Sequence, residues 1–543
     1  MLAHLFDASP EILQKIAFFA ILSTPRGPPR DLYNLCLVCR ASNRILSISN
    51  AQLYSDTFTH NFDHHAPKRR LGRQAFRENV KRELQRRFTT LKVFRRGNFD
   101  DPHLTEALWV AYLMLEDSGA SQKNFQQLIG FGLRKFLDDF LRSRLYDGSQ
   151  DNNGWPLPNE KNSLAIALFW LSSSQSSVSI ESDAGRNRMM QLLQPFVFAA
   201  FRYPVFTTAE SCFDPTTFDP RSRVPSIHGS YPPLPLDPRE VPYFGNIAYT
   251  ACVPPAPLFA SLLYFVRHER MEPAIPPHLI EAKRQTREEA DALGQVGPTI
   301  DDMLHFIHHC RTRFAEFPAT DIGVQSPSLT LGQPTPYRLG TLTGRWQGSY
   351  IMPFMEDYRQ WLNNLPAPSE FPATGRFPLY ATLQEHYTRD INSVIPRNGT
   401  EQGTLNAWLP SDCRWVEKPN GIEVFDSDNT FRAFYETYKP GERSKTYDDV
   451  VDVLITGKTD DRHAAAWGGF HFLGRIRLPD GLMVVSREAL GGTGTELLRG
   501  YVTSSQNLVG RRKHVSDGTE PAYWESTFSL CKDHTTPALG ITS

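Results

Sequence analysis

Thr341-Leu342-Thr343-Gly344-Arg345-Trp346-Gln347-Gly348-Ser349-Tyr350 is the stretch that decides how this chain is built. Apolar and polar residues alternate along it, the period of a strand with one face on a core. The chain keeps that texture from about Thr341 onward, with glycine-containing turns between short apolar runs. Further strands are expected from Gly421 to Phe425, Phe431 to Tyr438, Asp449 to Gly457, Gly469 to Leu478, Leu482 to Arg487 and Leu497 to Val502. Pro479-Asp480-Gly481 reads as a hairpin turn. Short strands at such close spacing make a sandwich or a barrel. Met355 to Leu362, with Asp357, Tyr358 and Trp361, interrupts them as a helix or ordered insertion.

N-terminal to Thr341 the period changes to that of a helix. Leu104, Leu108, Ala111 and Leu115 make one stripe, and the apolar residues from Phe125 to Leu145 make a second. Leu164 to Leu171 and Met189 to Phe201 are more apolar throughout, so they belong deeper. Residues 66–96 are strongly basic: Phe76, Val80, Leu84, Phe88 and Leu91 give a helix its apolar side, and the lysines and arginines give it a charged one. That side reads as a solvated face or, more sharply, as a nuclear-import or nucleic-acid patch. Residues 214–242 are proline-rich and suit neither a helix nor a central strand. Helical patterns return at Leu258 to Arg270 and Ile280 to Leu293, and Thr299 caps a further helix with Asp302 placed for a capping box. The expected fold class is therefore α+β and multidomain: a helical unit at 1–60, a helical scaffold at 61–335 and an antiparallel β-domain at 336–530.

The N-terminal unit starts where Ser9 offers an N-cap and Pro10 suits the first helical position. Glu11 complements the helix dipole. A wide stripe of Ile12, Leu13, Ile16, Ala17, Phe19 and Ala20 comes next, then Asp31 is expected to cap a second helix with Leu32, Leu35, Cys36, Val38 and Cys39 apolar. A third segment carries Ile45, Leu46 and Ile48, and Leu53-Tyr54 closes the unit. So short a unit buries little core alone and completes it against a partner or the next domain. Pro10-Glu11-Ile12-Leu13, Ile16, Leu32, Leu35, Val38-Cys39-Arg40 and Leu53-Tyr54 resemble the F-box. Ala8-Ser9 replace that family's Leu-Pro lead-in, and Ala41-Ser42-Asn43 stand where it often has a Trp. The resemblance implies a three-helix module whose Pro10, Glu11, Ile12, Leu13, Ile16, Leu32, Leu35, Val38 and Cys39 bind the Skp-type linker of a cullin ubiquitin ligase.

Composition sets outer bounds. The 543 residues are 40% hydrophobic and 22% charged, as in a globular chain. A net charge of −1 gives no global attraction to nucleic acid or membrane, and no apolar run approaches a membrane span. A secretory leader is not expected, and seven scattered cysteines argue against a disulfide framework, so a cytosolic or nuclear setting is expected. Asn398-Gly399-Thr400 is then a turn, not a glycosylation site. Cys36-x-x-Cys39 has no second pair at zinc spacing and reads as buried helix cysteines. Asp301, His305 and His308 can share a helix face, but Ile300, Met303 and Ile307 occupy the other, so the histidines read as its wet side. Gly491-Gly492-Thr493-Gly494-Thr495 lacks the ending of a phosphate-binding loop. No catalytic residue, metal or cofactor is assigned, and an enzyme is not expected.

Two resemblances concern the β-domain. Gly344-x-Trp346 is similar to the first-strand signature of lipocalin-like barrels, which implies a Trp346 closing one end of a barrel with a late arginine, Arg511 or Arg512, stacked on it. The runs from Ile455 to Trp467 and Phe470 to Arg477, with Asp480-Gly481-Leu482, Arg499-Gly500-Tyr501-Val502 and Asn507 to Gly510, resemble the C-terminal region of a large group of F-box proteins from mushroom-forming fungi. There Asp460 caps a short helical turn, with Arg462 and His463 at its exposed end. The expectation is a non-catalytic adaptor: the F-box binds the linker and cullin scaffold, and the β-domain binds an unnamed protein substrate, with Trp346, Asp460, Arg462, His463 and Trp467 as candidate contacts. The alternatives are a barrel that holds a small ligand or lipid, and a nucleic-acid binder using residues 68–96.

Overall fold

Where this chain starts a helix, it commonly supplies an oxygen for the first free backbone N–H groups: Asn159, Ser174, Ser182, Thr286, Thr299 and Asp460 all do so. The computed structural model describes residues 9–22, 26–46, 51–203, 238–245, 247–271, 273, 275–281, 286–315, 337–362, 366–395, 409, 413–428, 430–440, 449–478, 481–492, 494–503, 506–515 and 524–533. Asn398-Gly399-Thr400, the Pro479-Asp480 turn and most of the proline-rich stretch lie outside them.

The N-terminal helices are α1 (Pro10–Leu22), α2 (Arg30–Val38), α3 (Arg40–Ile45) and α4 (Ala51–Asn61); α2 starts directly after Pro29, so Asp31 lies in its first turn and is not its cap. Leu13, Ala17 and Ile21 form the buried stripe of α1, and Ala17 and Ile21 meet Leu32, Leu46 and Leu53 in a small core. Phe58 and Phe62 on α4 instead enter the main helical core, which fixes this unit to the helices C-terminal to it. α5 (His65–Arg96) bends at Gly72, whose φ of +78° suits glycine. Its expected apolar side is buried, but Arg87 departs from the expected charged face. It is buried, with Nε 2.7 Å from Glu83 and Nη2 3.2 Å from Asp117. A charge so placed needs partners, and the end of the next helix supplies one.

The layer continues with α6 (Leu104–Glu116), α7 (Lys123–Gly130), α8 (Leu133–Arg144), α9 (Glu160–Leu171), α10 (Gln175–Ser179) and α11 (Asp183–Phe198). The stripe from Phe125 to Leu145 is two helices, because Gly132 adopts a φ of +84° between them. α9 is buried on every side from Asn162 to Leu171. The antiparallel hairpin β1 (Pro238–Tyr243) and β2 (Ile247–Cys252) was not expected. Its prolines are tolerated because a two-stranded sheet has only edges. Then come α12 (Ala256–His268), α13 (Pro277–Glu281), α14 (Arg287–Ala292) and α15 (Ile300–His309). The single helix expected from Ile280 to Leu293 is thus two short ones.

The β-domain comprises β3 (Gly344–Pro353), α16 (Met355–Leu362), β4 (Ala373–Thr388), β5 (Arg414–Lys418), β6 (Gly421–Phe425), β7 (Arg432–Thr437), β8 (Asp452–Lys458), α17 (Asp461–Trp467), β9 (Phe470–Arg477), β10 (Leu482–Ala489), β11 (Thr495–Val502), β12 (Asn507–Val515) and β13 (Glu525–Lys532). Eight strands close in the order β3-β13-β12-β11-β10-β9-β8-β4, and β4 pairs back onto β3. All pairs are antiparallel, so this is an eight-stranded antiparallel barrel. Strands β5, β6 and β7 form a meander joined to β4 at His386 and Tyr387. Gly348 lets β3 and β13 approach: a Cβ there would lie 2.1 Å from the Ser529 carbonyl oxygen.

Alternation sorts the barrel's two faces. Trp346, Leu379, Ala381, Leu383, Val453, Ile455, Met483, Val485, Phe528 and Leu530 point inward into one core. Leu482, Val484, Leu497, Tyr501 and Val509 point outward and belong to the helical core instead. One core therefore joins helical layer and barrel. Arg511 reinforces the joint: Nη2 donates to the Phe196 carbonyl at 2.9 Å and Nη1 to that of Val197, in the last turn of α11. Those carbonyls lack partners within their own helix. Burial lowers the Arg511 pKa to about 10.

Candidate functional site

On α1, residues four and seven apart share a face. Turning Leu13, Ala17 and Ile21 inward therefore turns Ile12, Ile16 and Phe19 out. Ile12 is 51% exposed and Phe19 67%. On α2, packed beside it, Leu32 is buried while Tyr33, Leu37 and Val38 are exposed, Tyr33 at 66%. Two adjacent helices thus present apolar side chains with no cover among the described residues. Pro10 and Glu11 are exposed at the start of α1, where the Glu11 carboxyl lies below its ordinary pKa because its own backbone N–H and the Ser9 hydroxyl favour the charged form. Leu35 and Cys39 are partly buried. Cys39 is the N-cap of α3, its sulfur accepting from Ser42 N at 3.3 Å. Of the nine residues expected to contact the linker, Leu13 and Leu32 are therefore internal: each lies on its helix's core stripe. Phe19, Tyr33 and Leu37, which the residue pattern did not single out as contacts, stand outward in their place.

The unit is firmly mounted. Gly27 N donates to Gln127 Oε1 of α7 at 2.9 Å, and the Lys123 ammonium donates to the Thr59 carbonyl at 2.7 Å. Its exposed face is held in a set orientation on the helical layer.

The five candidate substrate contacts do not assemble. Trp346 points into the barrel, its Nε1 donating to the Leu342 carbonyl at 2.7 Å. The cation near its ring is Lys532, 5.8 Å from the centroid, and not Arg511 or Arg512. Register explains the correction: Arg511 faces outward to α11, while Arg512 faces inward over Tyr350 at 4.3 Å. Glu385 closes this floor, accepting from Tyr337 Oη, Gly340 N, Leu342 N, Thr343 N and Thr343 Oγ1.

Asp460, Arg462, His463 and Trp467 lie outside the wall, around α17. Asp460 caps that helix as expected and accepts from His463 N at 3.0 Å and Nδ1 at 2.8 Å. Burial opposes ionisation of Asp460, but the His463 hydrogen bonds prevail and hold its pKa below the ordinary value. The His463 ring lies flat on Tyr380, centroids 3.6 Å apart. Tyr380 Oη is 3.4 Å from His305 Nδ1 and accepts from Cys310 Sγ at 3.3 Å. Trp467 packs near Phe306, at 6.1 Å. Two sequence features that seemed separate, the histidine-rich helix and the capped turn, thus meet at one contact that holds α15 on the barrel. The His305 pKa falls to about 4 through burial, then through His463 and His309 nearby. Asp302 is engaged by Thr299 and Arg287, and no group of three or more metal-type side chains is set for a metal among the described residues. Only Arg462 reaches open space, a cleft of about 580 Å³ shared with Arg287, Asp301 and Asp461.

Compared with protein-family models, with curated proteins and with solved structures, the chain matches none. No helix among the described residues is long and apolar enough to cross a membrane.

Proposed function

We propose that the chain is a substrate-recruiting adaptor of F-box type, docking the Skp-type linker of a cullin ubiquitin ligase through α1 and α2. The observation that carries this reading is the uncovered apolar face of Ile12, Ile16, Phe19, Tyr33 and Leu37 on a small helical unit that is otherwise well packed. The F-box resemblance falls on the same helices. Its mechanism is proximity: a substrate held by the rest of the molecule has its lysines kept near the charged conjugating enzyme, which raises their effective concentration. The setting is cytosol or nucleus. The barrel fold is also compatible with a small-ligand carrier, but the buried side chains from Leu339 to Leu530 that occupy its interior favour the adaptor. The test is co-purification of recombinant Skp-type linker with the full chain and with an Ile12→Asp/Ile16→Asp variant. The reading expects the wild-type chain to retain the linker and the variant to lose it while keeping its circular dichroism. Failure of the wild type to retain it, or equal retention by the variant, would refute it.

A further inference from the structure

Residues 66–96 hold twelve lysines and arginines against two glutamates, a net +10; with the chain at −1, the remainder carries −11. The helix thus carries a strong local excess of positive charge in a chain that is otherwise net negative. Part of that charge is used internally. Arg70 pairs with Glu116 and Asp117, Arg86 with Glu83 and Glu106, and Arg87 with Glu83 and Asp117. The rest is not. Arg73, Arg77, Arg82, Lys92 and Arg96 are exposed and have no ion pair among the described residues. Glu78, the exposed carboxylate on this face, accepts from Gln74. Asp56 of α4 lies near Lys68, at one end.

This differs from an ordinary solvated face, which mixes both signs. Arg73, Arg77 and Lys81 succeed one another at intervals of four, as do Lys92 and Arg96, and like charges so spaced oppose the helix. Lys68 registers the crowding: partial burial and nearby Arg73 and Arg77 lower its pKa. A repulsion that the one exposed carboxylate of this face, Glu78, offsets only in part is what an anionic partner would remove.

We propose that the outer face of α5 is a docking surface for a short acidic polypeptide segment. Beyond the Gly72 bend the ridge is about 36 Å long, the span of roughly eleven extended residues. Arginine predominates, and its guanidinium fits carboxylates in pairs. The remainder's −11 repels a polyanion that overruns the ridge, as duplex nucleic acid does. The helix's Phe76, Phe88 and Phe94 are buried, so it offers no platform for base stacking. A short acidic segment stays on the ridge, where five exposed cations face the single exposed carboxylate of Glu78. The surface is independent of the adaptor reading.

The test uses the full chain, fluorescence anisotropy and three probes: a labelled twelve-residue peptide of alternating Glu and Ser, its Lys/Ser counterpart, and a short DNA duplex. The expected result is salt-sensitive binding of the Glu/Ser peptide only, weakened roughly tenfold or more in an Arg73→Glu/Arg77→Glu/Arg96→Glu variant whose thermal melt is unchanged. No binding of the acidic peptide, equal binding by the variant, or tighter binding of the duplex would each overturn the proposal, the last pointing to a nucleic-acid surface.

Discussion

Glu385 lies at the floor of the barrel with five donors around its two oxygens and no exposed surface. A carboxylate so placed organises the loop from Tyr337 to Thr343 that closes this end. Glu385→Gln replaces one acceptor with a donor among donors. It should lower stability by about 2–3 kcal/mol in chemical denaturation; a loss within error would show that the loop closes the barrel without it. The residue was not legible in the sequence because an acidic side chain on the inward face of a strand breaks the alternation by which strands are read. Arg511 hid β12 in the same way. Three consecutive basic residues at Arg511, Arg512 and Lys513 look like a loop until their partners are seen. Ile12 and Leu13 show what pattern does and does not resolve. Both lie on the wide stripe of α1, and only the packing of α2 and α4 decides that Leu13 is core and Ile12 surface.

Two helices were readable from the side chains that cap them, whereas the Ser174-capped α10 lies in a serine-rich stretch that reads as an exposed loop. The capping box of Thr299 and Asp302 and the Asp460 cap stand where the residues placed them. Strands β6 to β11 were readable because short apolar runs alternate between turns. β4 was not, since at 16 residues it serves both barrel and meander and changes its neighbours along its length. Contacts between elements are what sequence least reveals: nothing in the spacing of His305 or His463 shows that they meet across Tyr380. For α11, an Arg511→Met variant removes the donors to its last carbonyls and should cost roughly 2–4 kcal/mol, with the loss appearing in both helical and β signals because the joint is shared. Loss confined to one signal would show that the two parts unfold independently.

At the scale of the molecule, the helical layer reaches the barrel through Glu269, the residue after α12, which accepts from Thr312 N at 2.9 Å and Thr312 Oγ1 at 2.7 Å, while Thr312 Oγ1 lies 2.9 Å from Ser529 Oγ of β13. Burial raises its pKa from 4.5 to about 7, against the pull of Arg376 and of the Thr312 hydrogen bonds. The folded state therefore holds this proton more tightly than the unfolded one. The stability it contributes is full below about pH 4.5 and is lost as pH rises through 7, a change of about 3 kcal/mol. Glu269→Gln should flatten the pH dependence of thermal unfolding across this window, whereas parallel profiles would show that Glu269 does not set it. The α+β architecture and the β-rich C-terminal part were legible from period alone; the shared core was not, because outward residues of β10 to β12 look no different from inward ones. Whether α1 and α2 form a linker-docking face is decided by hydrogen–deuterium exchange of the full chain with and without the Skp-type linker. Docking there predicts slowed exchange at residues 12–19 and 33–38 and little change over the barrel; no protection at those residues, or protection confined to other elements, would contradict it.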